Sequence, residues 1–482
     1  MSLTPEQILA LAPDPASAKA GSGQASPSYW SGLGANAQAL WGLCQGSGKE
    51  PYRTQIELAG PAFKCSCPSR KFPCKHGLGL YLLFAKQAAA FGSDEAPEWV
   101  REWLHSREQR SEKKAAKEEQ AAQQEATLSP EQVAARDKAQ QKRQDKRAQN
   151  VAQGFELLDT WLQDLAREGL AGLPGKPAAN WEAMAARMVD AQAPGLAYRI
   201  RKAGSLLYSK QGAAHWELAV GRELAQLALL SQCHARLEQF GPEWQADIRS
   251  AIGWATPQED ALAQAPLEDV WQVCGQQTQQ DDKISRRATY LRGKNSGRWA
   301  MLLHFAAGGQ TLPPPLLPAI QYHGKLHFYP GATPLRALMA ADAQADSAPQ
   351  ARLHAGVPAT KPNPDENAKP GFARELQDYA ALLACNPLLD QYPMLLPDVT
   401  PHYLATGTDG KGAAAFALGC TDSASDAASY LPIDATFTQG WLMLALSGGH
   451  AATVFGLWNG YSFWPLTLAT PERIHSFDME PV

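Results

Sequence analysis

Apolar and polar residues follow different patterns along the 482-residue chain, and each pattern predicts a different secondary structure. Between residues 39 and 67, short apolar runs alternate with turn residues, which predicts a small β-meander. From about residue 73 to residue 90, the apolar spacing becomes helical. Residues 151–262 keep a helical period, which predicts helices that each bury one face, and residues 268–330 return to strand-like runs.

The last apolar stretch, residues 440–471, contains no Asp, Glu, Lys or Arg. Polar and glycine residues interrupt it at 447–450 and at 459–460, so its apolar runs reach about half the ~20 residues that a membrane-spanning helix needs. We therefore predict two or three buried strands here. The N-terminus has no basic segment followed by an apolar run, so we expect a cytoplasmic protein without membrane contact.

The length of the chain exceeds what one hydrophobic core supports, so we predict several domains of mixed α+β type. The predicted boundaries are 1–105 for an N-terminal domain with its motif at 63–77, 106–150 for a charged helical linker, 151–262 for a helical domain, 263–340 for a β-rich region, 341–372 for a second linker and 373–482 for a C-terminal α+β domain.

Net charge and cysteine distribution limit the kinds of ligand that the chain is expected to bind. The formal net charge is −4, so no field over the whole chain favours nucleic acid or membrane. Three of the eight cysteines, Cys65, Cys67 and Cys74, fall within ten residues. We predict that the scattered ones are small buried residues, as lone cysteines usually are. They are Cys44, Cys233, Cys274, Cys385 and Cys420.

The clustered cysteines and His76 form a candidate metal site. Zinc favours four tetrahedral ligands of this kind, with Zn–S about 2.3 Å and Zn–N about 2.0 Å. Cys65, Cys67, Cys74 and His76 would fill all four positions, which leaves none for a reacting water. The sequence therefore predicts a structural rather than a catalytic Zn²⁺ site.

The spacing of the four residues suits this site. Cys65 and Cys67 are two apart, as on one face of a strand. Cys74 and His76 would diverge by ~200° inside a helix, so we place both at the N-terminal edge of the predicted helix. Three thiolates and Zn²⁺ sum to about −1, which nearby basic side chains can offset. These are Lys64, Arg70, Lys71 and Lys75.

The pattern Cys-x-Cys, six residues, Cys-x-His resembles the SWIM zinc finger over residues 38–92. The resemblance implies zinc binding on a β-β-α core and a role in DNA or protein interaction. In bacteria, proteins of this family resemble companions of MoxR-type ATPases and von Willebrand A proteins. With this motif, the predicted fold is a multidomain α+β protein with an N-terminal β-β-α SWIM zinc finger, a helical middle and a β-rich C-terminal half.

Three functional hypotheses remain open, and none of them is enzymatic, because the sequence has no Walker A loop, no H-E-x-x-H and no G-x-S-x-G. We favour an interaction adaptor with a protein partner, because most of the chain is not basic. The first alternative is DNA or RNA binding by the zinc loop, since residues 49–86 hold seven basic and two acidic side chains. Its candidate contacts are Lys64, Arg70, Lys71 and Lys75. The second alternative is a thiol and zinc redox switch.

Overall fold

The computed structural model describes most residues between Leu3 and Phe477. The positions within that span that it leaves out are 4, 10, 13–14, 47–49, 59–61, 70, 93–94, 110–129, 209–215, 281–283, 308–311, 314, 317, 319, 341–342, 346–371, 405–414, 422–427 and 472–473. Among the described residues, no helix combines the length and the apolarity that crossing a membrane requires.

The N-terminal domain is a four-stranded antiparallel sheet packed against helices. Its strands follow chain order as β1 (Trp30–Ala35), β2 (Ala39–Cys44), β3 (Tyr52–Glu57) and β4 (Ala62–Cys65). Its helices are α1 (Pro5–Leu9), α2 (Pro15–Gly23) and α3 (Lys75–Lys86), and residues 98–109 form α4. The predicted meander and the helix after it are confirmed, whereas α2 and β1 were not predicted.

The core of this domain forms around α3, whose apolar residues are buried on several sides of the helix. Leu78, Leu80, Leu82 and Leu83 belong to one buried apolar cluster with residues of α1, β2 and β3. The same cluster includes Ile320, and Tyr322 packs against it, although both lie far along the chain in the β-rich region. The zinc-finger helix therefore shares its core with a distant segment.

The middle of the chain is helical, as its apolar period predicted. The helices are α5 (Pro130–Glu168), α6 (Ala178–Asp190), α7 (Pro194–Tyr208), α8 (Trp216–Ala235), α9 (Pro242–Ile252) and α10 (Gln258–Leu262). Helix α5 is 39 residues long and has no break at residue 150, so the charged segment continues directly into the first helix of the bundle.

A buried ion-pair cluster ties this bundle to a loop near residue 390. The guanidinium of Arg199 lies 3.3 Å from Glu223 and 2.8 Å from Asp390, and it also donates to the carbonyl of Leu388 at 3.3 Å. Lys202 lies 2.7 Å from the second oxygen of Glu223. Because the side chains of Arg199 and Glu223 are each only 4% exposed, their charges must be compensated within the cluster, by Asp390 and Lys202 as well as by each other.

The β-rich region closes into a five-stranded barrel. Its strands are β5 (Leu267–Gln280), β6 (Ile284–Gly293), β7 (Trp299–Ala307), β8 (Gln321–Phe328) and β9 (Arg336–Met339), and β10 (Gln344–Ala345) adds to β8. Strand β9 pairs with both β7 and β8, which completes the ring β5-β6-β7-β9-β8. Trp271, Leu291, Leu302 and Leu326 belong to the apolar cluster that fills the inside.

The C-terminal part is a second six-stranded sheet that covers one side of the barrel. Its strands are β11 (Tyr392–Leu404), β12 (Ala415–Thr421), β13 (Ala428–Pro432), β14 (Ala452–Trp458), β15 (Phe463–Ala469) and β16 (Ile474–Ser476), in the order β13-β12-β11-β14-β15-β16. Helices α11 (Ala373–Cys385) and α12 (Gly440–Ser447) complete it. Phe455 contacts the barrel residues Tyr290 and Trp299, with ring centroids 5.9 and 5.4 Å apart.

The prediction for residues 440–471 is partly wrong. Two buried strands, β14 and β15, do lie there, but the stretch begins with helix α12 (Gly440–Ser447) rather than with a strand. An apolar run of six residues (441–446) fits a helix or a strand equally well by its pattern, so packing decides between them. Gly448, in the left-handed region with φ 60°, ends the helix.

Candidate metal centre

The four predicted ligands lie where a strand ends and a helix begins. Cys65 is the last residue of β4, and Cys67 follows in the loop. Cys74 is the N-cap of α3 with an extended backbone (φ −77°, ψ 166°), and His76 is the second residue of the helix. The cysteine is therefore not yet helical, which lets its side chain and that of His76 converge as the spacing predicted.

The four donor atoms form one compact cluster. The three sulfurs and a nitrogen of His76 all lie within 4.8 Å of one another. Cys65 Sγ lies 3.7 Å from His76 Nδ1, close to the edge of about 3.6 Å that a tetrahedral zinc with one sulfur and one nitrogen ligand would impose. The donor set and its dimensions fit a tetrahedral zinc ion, with Nδ1 as the ligating nitrogen.

The electrostatics of the cluster favour one thiolate even without a metal. The thiol of Cys65, followed by the imidazole of His76 and the backbone N–H of Gly77, lowers the pKa of Cys74 to about 4. The same contact with Cys74, together with burial, raises the pKa of Cys65, and burial raises the pKa of Cys67. A bound zinc ion would supply the positive charge that keeps all three sulfurs deprotonated.

Strand β3 holds the ligand-bearing segment in place. Thr54 Oγ1 lies 3.3 Å from Cys65 Sγ, and the ring of Tyr52 packs against the imidazole of His76 with centroids 5.0 Å apart. Ser66 binds the backbone of Arg53 twice, since its hydroxyl accepts from the Arg53 N–H at 3.0 Å and its own N–H donates to the Arg53 carbonyl at 3.0 Å. These contacts fix the loop from both sides of Cys65.

A groove of about 640 Å³ opens beside the metal centre. Cys67 and His76 form part of its wall, and Lys71 and Lys75 line it next to them. Its other lining residues include Tyr29 and Tyr52, and α2 contributes Ser17 and Ala20. The metal ligands therefore take part directly in the shape of a surface cavity.

The structure separates the four basic residues predicted as contacts. Lys71 and Lys75 are exposed and line the groove. Lys64 is exposed on β4, outside the groove, and Arg70 lies outside the described residues. The wall provided by α2 was missed from the sequence, although Pro15 at the first helical position and the alanines after it are the local signal of such a helix.

Comparison with known families gives the same result as the geometry. Three thiols and an imidazole clustered between a hairpin and a helix define a zinc-finger fold. The model of the SWIM zinc finger family matches residues 52–84, and that of the SWIM-associated four-helix bundle domain matches residues 146–252. The chain therefore contains a SWIM zinc finger followed by its associated helical domain, which extends from the second half of α5 to α9. No curated protein and no solved structure matches the chain significantly.

Proposed function

We propose that this protein is a zinc-binding, non-enzymatic adaptor whose SWIM finger docks a protein partner in the groove beside the metal. One observation carries the proposal: Cys67 and His76 are both candidate zinc ligands and groove-lining residues. Four protein ligands leave zinc no open position, so the site suits shaping a surface rather than chemistry. The metal would then control binding by holding the groove in its shape.

The lining of the groove indicates the chemistry of the partner. Lys71 and Lys75 supply positive charge, and Tyr29 and Tyr52 supply flat amphipathic surfaces of the kind enriched in binding sites. An acidic segment with apolar side chains complements both features. The partners that the family resemblance suggests, a MoxR-type ATPase or a von Willebrand A protein, enter this proposal as the first proteins to test.

The test is affinity purification of the tagged full-length protein with nuclease present. The double variant Lys71→Glu/Lys75→Glu should bind its partner at least about tenfold more weakly while keeping its zinc. A charge reversal at a complementary interface costs several kcal/mol of binding free energy. Lys86→Glu is the matched control, because Lys86 is exposed at the opposite end of α3. A partner that binds both variants equally, or no nuclease-resistant partner at all, would contradict the proposal.

A second candidate is nucleic-acid binding by the zinc loop, favoured by the exposed lysines Lys64, Lys71 and Lys75 on and beside that loop. Contact with ~3 to 4 phosphates would give a slope near −3 in a plot of log affinity against log salt. Titrating the protein with labelled DNA and RNA at several salt concentrations measures this slope. A flat response would exclude this candidate.

A further inference from the structure

The order in which the strands of the five-stranded barrel are connected is one that occurs in ligand-binding barrels. Its strands close in the order β5-β6-β7-β9-β8, and every neighbouring pair is antiparallel except β7 with β9. This is the strand order of the Greek-key barrels of OB type, which bind oligonucleotides and oligosaccharides on the face of their second and third strands. The corresponding strands in this chain are β6 and β7.

Only part of the outer face of these two strands is covered. Alternation places Ile284, Arg286 and Tyr290 on the outside of β6, and Trp299 and Phe305 on the outside of β7. Tyr290 and Trp299 are buried under Phe455 of the C-terminal sheet. Towards the other end of the same face, Phe305 is 56% exposed and Ile284 is 48% exposed.

Arg286 adds a cationic group to this exposed end. It lies directly opposite Phe305 in the strand register, so the two side chains are neighbours on one face. Its Nε is buried and has no hydrogen-bond partner among the described residues. A guanidinium beside an exposed aromatic ring is the pairing with which proteins hold a phosphate and a stacked base at the same time.

The guanidinium of Arg286 favours an anionic ligand over a neutral sugar at this exposed end. Residues 284–307 contain five basic side chains and no acidic one, within a chain whose net charge is −4. They are Arg286, Arg287, Arg292, Lys294 and Arg298. Of these five, Arg286 lies at the exposed end of the outer face, whereas Arg287 donates to Thr278 and to the Pro313 carbonyl, and Arg292 is buried on Trp299. Two aspartates of the β5–β6 connection, Asp281 and Asp282, lie outside the described residues.

We propose that the surface formed by Ile284, Arg286 and Phe305 binds single-stranded nucleic acid. Base stacking on Phe305 needs unpaired bases, whose flat faces a duplex keeps inside its stack, so the site should prefer single strands over duplex. The surface lies on the barrel, not on the zinc finger, and the inference is independent of the proposed docking groove.

The test measures the binding of the full-length zinc-loaded protein to fluorescein-labelled dT15 and to a 15-base-pair duplex by fluorescence anisotropy. The wild type should prefer dT15, and Phe305→Ala should weaken dT15 binding about 5- to 150-fold, the range for one stacked base. Arg286→Gln should weaken binding and reduce the slope against log salt by about 0.7, as for one lost phosphate contact. Both side chains are on the barrel surface, and circular dichroism checks that each variant is folded.

Two control variants test whether dT15 binds at this surface rather than at another exposed aromatic residue or at the zinc loop. Trp441→Ala removes an aromatic side chain that is 62% exposed on α12, and it should leave dT15 binding unchanged. Lys71→Glu/Lys75→Glu should also bind dT15 as the wild type does. Three results would each overturn the inference. They are wild-type affinity in both Phe305→Ala and Arg286→Gln, equal affinity of the wild type for duplex and for dT15, and loss of dT15 binding only in the zinc-loop variant.

Discussion

Replacement of Cys74 by serine is the sharpest test of the metal centre, because it separates metal binding from helix capping. Cys74 is the N-cap of α3, and serine is among the preferred N-cap residues. The substitution therefore keeps a suitable start for the helix while removing one thiolate of the four ligands. Any loss of structure can then be assigned to the metal.

The expected effect follows from the size of the domain and the energy of the site. Structural zinc sites contribute about 10–16 kcal/mol, or about 3–4 kcal/mol per ligand, so losing one ligand should weaken zinc binding by about 100- to 1,000-fold. A folded domain is normally stable by about 5–15 kcal/mol. Without the metal, the segment around β3, β4 and α3 should therefore unfold locally, while the helical bundle and both C-terminal sheets stay folded.

Elemental analysis and hydrogen exchange measure the two parts of this prediction. After dialysis against a buffered zinc solution that keeps the wild type saturated, Cys74→Ser should hold far less than one zinc per chain. Its amides in β3, β4 and α3 should lose protection, and those in α7 and β14 should not. Cys44→Ala is the control, because Cys44 is buried in the same domain outside the ligand cluster. Full zinc content and native protection in Cys74→Ser would refute the reasoning.

Three further predictions concern the remaining domains. In chemical denaturation, Arg199→Ala should cost about 3–5 kcal/mol, because it breaks a buried ion pair, leaves Glu223 with Lys202 as its partner and removes the hydrogen bond to the Leu388 carbonyl. Arg201→Ala should cost at most about 1 kcal/mol, since its ion pair is exposed, and equal costs would contradict the buried cluster. Burial raises the pKa of Glu375 from 4.5 to about 7, so the protonated acid favours the folded state. The stabilising contribution of the protonated Glu375 is present below pH 4.5 and is lost as the pH rises through 7. Relative to Glu375→Gln, the wild type should lose on the order of 3 kcal/mol of unfolding free energy across that window. Parallel pH profiles of the two proteins would contradict this prediction. Gly275→Ala should destabilise the chain by about 1–3 kcal/mol, because the added Cβ would lie 2.6 Å from the ring of Phe455; an unchanged unfolding midpoint would show that the contact adjusts freely.

The metal centre could be predicted from the sequence because its information is local. All four ligands lie within twelve residues, and the extended backbone of Cys74 follows from the need to bring it beside His76. Helix α12 could not be assigned from the sequence, because six consecutive apolar residues carry no distinguishing period. The charged stretch and the first bundle helix form one continuous α5. The residues on both sides of position 150 favour a helix, although their polarity changes there.

The barrel and the groove depend on contacts that no local pattern contains. Closure rests on the short strand β9, which pairs with β7 and with β8 through only a few residues. The groove needs α2 to pack beside the zinc loop, although more than forty residues separate them. Register and packing between distant segments set both features, and a single sequence shows neither.

The contact of Ile320 and Tyr322 with the apolar core around α3 couples the zinc finger to the barrel wall through one apolar cluster. A fragment cut between α4 and α5 would remove Ile320 and Tyr322 from this cluster, so the isolated finger should be less soluble and less stable than its size suggests. Zinc starvation would likewise uncover barrel residues more than two hundred positions away from the metal ligands. Loss of the ion would in this way change the solvent exposure of the barrel wall by packing alone.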